Sequence, residues 1–229
     1  MLEKNTDAKV FTTLRYGGIG FGVRDRIPAI TRDAVLLTTP PTKNDSEAKR
    51  EARVNLRWVL ANHLFTAPKA ADARKSLFIS FHIDSLHKDR MGSMVYVPAA
   101  TMLPSKYSWA GDGHKVAELK RGASISFSER QKIESETQSR IFADGLLKAL
   151  RKEGIAVNPN RPIRNAIHRG KKPYVPAVIR NNVATTKILI EIVNIQNESD
   201  ATLLKDPNFR ERYAEAVVAA IRAHYGNRG

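Results

Sequence analysis

Lys187-Ile188-Leu189-Ile190-Glu191-Ile192-Val193 is a short apolar run interrupted by a single carboxylate. Its length and β-branched content read as a buried strand. A carboxylate at the end of such a strand must be paired, protonated or metal-associated, because an isolated buried charge is costly. Glu191 is therefore a candidate functional group, with a buried ion pair to an arginine such as Arg180 as the competing explanation. His82 stands in the same situation within Phe78-Ile-Ser-Phe-His82-Ile-Asp84. There the competing explanation is a core histidine bonded to backbone.

Working outward from these two runs, strand-like and helix-like segments alternate. Ala8–Leu14 and Ala34–Thr39 read as strands, the second ended by Pro40 and Pro41. Gly17, Gly18, Gly20 and Gly22 lie between them and forbid a regular element. They do not make a phosphate cradle, since no Gly-Lys-Ser/Thr follows. Ser46 fits an N-cap for an amphipathic helix carrying Ala52, Leu56, Val59, Leu60 and Leu64 to about Phe65. Leu77–His82 fits a buried strand and Gly92–Val97 another, while residues 98–126 are loop-like. Ser128 and Gln131 resemble a capping box that starts a long helix ending at Gly154, with Ile133, Ile141, Leu146, Leu147 and Leu150 on its apolar side. Arg161–Lys172 is a basic loop. Asp206 and Pro207 open a last helix whose inner face holds Phe209, Tyr213, Ala216, Val217, Ala220 and Ile221. The order predicts an α/β fold, a twisted and mostly parallel sheet flanked by helices on both faces.

The 229 residues, 42% hydrophobic, suit one layer-type domain with an N-terminal insertion. The absence of cysteine excludes disulfides, thiolate zinc sites and cysteine nucleophiles, so any metal must sit on His, Asp or Glu. No apolar run approaches the roughly 18 residues of a membrane span. The first thirty or so residues lack the apolar centre of a secretory signal. Net charge is +15, which suits a polyanionic partner, nucleic acid or an anionic cell wall, unless it is only a solvated basic surface. Tyr174 is the one aromatic residue close to the basic segment, so no specific nucleic-acid binding is expected.

The stretch from Lys187 through Asn197-Glu-Ser-Asp200, Leu203-Leu204-Lys-Asp206-Pro207 and the Ala-rich helix resembles the C-terminal signature of the zinc-dependent N-acetylmuramoyl-L-alanine amidases. A second stretch is similar to the same family in order and spacing: Arg57-Trp-Val-Leu-Ala61-Asn62, then Leu77 to Asp84, then Gly92 to Tyr96. The resemblance implies a domain spanning residues 1–229 and an open zinc site of two His and one Glu. It makes His82 one metal ligand and Glu191 the carboxylate that moves a proton from water to the leaving amine. Arg180, Asn197 and Asp84 would border the substrate groove. The implied substrate is peptidoglycan, cut between the muramic acid lactyl group and L-Ala, by a monomer outside the cytoplasm in the periplasm or cell envelope. Val193-Asn194 stands where the family usually has Gly and Phe or a similar pair, so the pocket floor is expected to differ.

The family's opening strand, with its Asp-Pro-Gly-His-Gly-Gly-like turn, and the helix bearing the Glu ligand have no counterpart here, and Met1 falls after both. The domain is thus expected to be N-terminally incomplete. Residues 16–45 would be an insertion if Ala8–Arg15 is the family's next strand, a role for which Ala34–Thr39 competes. Three readings follow: an upstream segment completes the site, His63, His87 or His114 substitutes, or the chain is a degenerate module binding cell wall or another polyanion. His87, His168 and His224 otherwise read as solvated.

Overall fold

The computed structural model of the chain describes residues 8–16, 34–43, 50–67, 75–111, 113–168 and 172–226. The glycine cluster at 17–22, the Ser46 cap, most of the 16–45 segment, and Arg169 and Lys171 of the basic loop lie outside the described residues. The strands are β1 (Leu14–Tyr16), β2 (Ala34–Leu36), β3 (Thr42–Lys43), β4 (Leu77–Asp84), β5 (Met94–Tyr96), β6 (Lys106–Ser108), β7 (Ser124–Ser126), β8 (Ile163–Arg164) and β9 (Thr186–Asn194). The helices are α1 (Arg50–Phe65), α2 (Leu119–Gly122), α3 (Glu129–Lys152), α4 (Ala177–Arg180), α5 (Glu198–Leu203) and α6 (Pro207–Gly226).

The central sheet has the order β4-β9-β5-β8. β4 and β9 are parallel, β5 and β8 are parallel, and β5 joins β9 antiparallel, so two of the three pairings are parallel as the alternation of elements predicts. One face carries Val95, Ile188 and Ile190, packed against Phe142, Leu146 and Leu150 of α3 and Phe209, Tyr213 and Ala216 of α6. The other face carries Tyr96 and Leu189 beneath Val178 and Ile179 of α4. α1 seats behind α4, with Asn62 Nδ2 donating to the carbonyls of Asn181 and Gly122. Gly122 is required there: an added Cβ would stand 2.0 Å from the Val59 carbonyl oxygen.

Several local expectations need correction. The first strand lies at Leu14–Tyr16, past the expected Ala8–Leu14, where Val10 and Phe11 are exposed. β4 is the edge of the sheet, with Phe81 and Ile83 about half exposed, because an apolar run does not distinguish a central strand from an edge one. Residues 98–126 hold a 3-10 turn (Ala100–Met102), the β6-β7 hairpin and α2. Trp109, Ile125 and Phe127 anchor that segment against Trp58 and Val59 of α1. The Ser128 capping box forms, but Ile133 and Ile141 of α3 face solvent. The buried stripe runs instead through Ser135, Ser139, Phe142, Leu146 and Leu150. The small serines let α3 approach the sheet, and Ser139 Oγ accepts from the Lys187 amide at 2.9 Å. The basic loop contributes β8, which adds to β5. His224, expected in solvent, is buried edge-on against Phe142, with ring centroids 5.3 Å apart.

Lys187 is fully buried near the start of β9. Its Nζ donates to Asn182 O at 2.7 Å and lies 4.6 Å from the Phe127 ring centroid. Burial lowers its amine from 10.5 to about 7. Between those values the unfolded chain holds the proton more firmly, so native stability rises as pH increases from about 7 towards 10.5. Lys187→Met is expected to raise unfolding free energy at pH 7 by about 2 kcal/mol, as hydrophobic replacement of buried charge does elsewhere. In paired denaturant titrations that advantage should shrink as pH approaches 10.

Candidate active site

The strand register decides which side chains meet. His82 on β4 and Glu191 on β9 are direct partners in a parallel pair, so both project from the same sheet face, on strands about 4.8 Å apart. Both line one open cleft of about 1420 Å³, together with Asp84, Tyr96, Arg57 and Arg180. The sequence candidates Glu191, His82, Asp84 and Arg180 are thereby brought together.

Glu191 is 7% exposed, and its backbone carbonyl accepts from Ser93 Oγ, which shares a further hydrogen bond with Tyr213. Desolvation, reinforced by the Arg57 charge and opposed by Asp84, lowers the His82 pKa below 6.5. At neutral pH the imidazole is therefore mostly neutral, able to accept a hydrogen bond or offer a lone pair. Asp84 is buried; its Oδ1 accepts from Ser85 N, and its Oδ2 has no hydrogen-bond donor among the described residues. Burial raises the Tyr96 phenol pKa, opposed by the Arg164 charge and reinforced by Asp84 and Glu191.

Asn197 is placed elsewhere. Its side chain caps α5 by accepting from Asp200 N, and its Nδ2 donates to Lys88 O. The Asn197-to-Asp200 spacing is an N-cap signal legible in sequence. Among the spare histidines, only His87 and His168 reach the cleft. His87 Nδ1 lies 3.2 Å from Asp89, while His63 of α1 meets Arg121 of α2 and His114 lies by Trp109. Among the described residues no three His, Asp or Glu side chains gather closely enough to hold a metal ion.

Two residues that shape the cleft were not singled out for that role in the sequence. Asp200, fully buried, accepts from Gly92 N and Asn194 N with one oxygen, tying the start of β5 to the end of β9. Asn194 donates to the carbonyls of His87 and Arg90 and accepts from Leu86 N, pinning the 85–91 loop that forms one cleft wall. The departure from the family pattern at Asn194 is the only sequence signal of this clamp.

The sequence model of one protein family, described as N-acetylmuramoyl-L-alanine amidase, matches residues 32–223. No curated protein matches the chain. Among solved structures, the chain is similar to the N-acetylmuramyl-L-alanine amidase Ami1 from Mycobacterium smegmatis, with 21% identity over 65% of this chain and 53% of that one, TM-score 0.39. Ami1 from Mycobacterium abscessus gives 20% identity over 64% and 53%, TM-score 0.40. The catalytic domain of the amidase CwlV from Bacillus (Paenibacillus) polymyxa var. colistinus gives 17% over 81% and 69%, TM-score 0.44. The chain thus spans about half the length of the two Ami1 structures.

Asn194→Ala removes three short hydrogen bonds to one loop and leaves buried backbone groups unpaired. A loss of about 2–4 kcal/mol in denaturant unfolding is expected. Faster amide exchange confined to residues 85–91 should accompany it.

Proposed function

The chain belongs to the N-acetylmuramoyl-L-alanine amidase family, and from that premise we propose that it hydrolyses peptidoglycan at the amide between the muramic acid lactyl group and L-alanine. The observation that supports this reading is the pairing of neutral His82 with buried Glu191 at one level of a cleft large enough for a glycopeptide. In this reading Glu191 takes a proton from the attacking water, whose oxygen bonds to the lactyl carbonyl carbon. As the C–N bond breaks, Glu191 returns the proton to the departing alanine nitrogen. His82 orients the water or the carbonyl, while Arg180 and Asp84 border the bound substrate. The substrate would place a monomeric, single-domain protein outside the cytoplasm; no helix among the described residues is long and apolar enough to cross a membrane.

Zinc is the cofactor that the family implies, with His82 as one ligand. A catalytic zinc needs about three protein ligands. The described residues gather no such set, so they do not fit a zinc held by this cleft alone, and the steps above do not pass through one. Calorimetric titration with zinc chloride should accordingly show no stoichiometric binding tighter than micromolar. A tight site lost in His82→Ala would reverse that conclusion.

The same missing ligand set favours one second reading, a degenerate amidase-like module that binds cell wall or another polyanion without cutting it. Digestion of purified sacculi separates the two. Hydrolysis predicts stem peptides with a free L-alanine amine in the mass spectrum, reduced at least about a hundredfold in Glu191→Gln, a common loss when an acid–base group is removed. Co-sedimentation with sacculi without peptide release would establish the binding module instead.

A further inference from the structure

The cleft is more basic than an acid–base pair requires. Arg90, Arg161, Arg164 and Arg180 line it beside Arg57, while Asp84 and Glu191 are its carboxylates among the lining residues. None of the first four makes an ion pair with a carboxylate among the described residues. The backbone at Arg161 and the guanidinium of Arg164 are also held in place. The Arg161 amide donates to Asn158 Oδ1 at 3.2 Å, and Arg164 Nε donates to Arg161 O at 3.2 Å.

Their distance from the reacting pair follows from the register. Arg164 on β8 is opposite Tyr96 on β5, which is opposite Leu189 on β9, two residues before Glu191. Two strand spacings across and two residues along separate the Arg164 and Glu191 backbones by roughly 12 Å. An extended peptide advances about 3.5 Å per residue. For a peptide running from Glu191 towards β8, the Arg164 side chain would meet the second or third residue beyond the bond cut. A planar guanidinium fork matches a carboxylate in two parallel hydrogen bonds.

We propose that Arg161 and Arg164 form a carboxylate subsite that grips the free α-carboxylate of the stem-peptide glutamate, so that the chain prefers unamidated stems. This rests on the peptidoglycan reading above. Both arginines line the same cleft as Glu191, which favours a carboxylate of the same ligand over a separate phosphodiester polymer.

The test uses N-acetylmuramoyl-L-Ala-γ-D-Glu-L-Lys and its counterpart with the glutamate carboxyl amidated. Both are titrated calorimetrically into Glu191→Gln protein, which keeps the ligand intact. The free acid should bind about tenfold more tightly, the scale of one charge-assisted hydrogen bond. Arg161→Gln and Arg164→Gln should each shrink that ratio, and together bring it to one without weakening the amidated probe. Arg164→Lys, which keeps charge but loses the fork, should fall between. Circular dichroism checks that each variant is folded. Equal affinity for the two probes, no binding of either, a ratio indifferent to both substitutions, or binding of a poly(glycerol phosphate) in place of the muropeptides would overturn the subsite. Selective binding by a protein that releases no stem peptide from sacculi sinks the hydrolytic reading alone. Equal cleavage of both probes by the unsubstituted protein sinks the subsite alone.

Discussion

One strand buried on both faces carries two ionisable side chains, and the surrounding architecture accommodates each differently. Lys187, beside Asn182 and Phe127, gives up much of its charge, since a single carbonyl and an aromatic ring replace its water shell. Glu191, four residues further along the same face, lines the cleft. The strand thus has a dry end and a cleft end.

The cleft end is held by polar residues bonded to backbone groups. Asp200 ties β5 to β9 through two backbone amides, and Asn194 fixes the 85–91 loop through the carbonyls of His87 and Arg90. Buried groups of this kind specify one arrangement because breaking any of the bonds leaves a desolvated partner. The cleft wall is therefore set by side chain to backbone bonds rather than by apolar packing, a departure tied to Asn194 where the family resemblance leads one to expect an apolar residue. The opposite wall carries Arg161, Arg164 and Arg180, which give the cleft much of its positive charge.

How much was legible in advance differs between fold and site. The long helices were plain, because caps such as Ser128 and Asp206 and apolar spacing are local signals. The sheet class followed from the alternation of elements. Edge and centre were not distinguishable, so β4 reads as buried when Phe81 and Ile83 are half exposed. The two-residue β8 lies in a basic segment with no strand signal of its own, and exists because β5 offers it an edge. Ile133 and Ile141 mislead because apolar identity outweighed phase: the face that meets the sheet includes serines that only close packing explains.

The sequence by itself determined that Glu191 and His82 are anomalous, because the cost of a polar group in an apolar run depends only on neighbours along the chain. It also determined the net positive charge and the absence of thiolate chemistry. Only the tertiary structure decided that the two groups are register partners, that Asn197 caps α5 outside the cleft lining, and that arginines from four separate segments converge on one cleft. Those outcomes depend on contacts between segments up to about a hundred residues apart, such as Asn194 with the 85–91 loop, and no local periodicity encodes them.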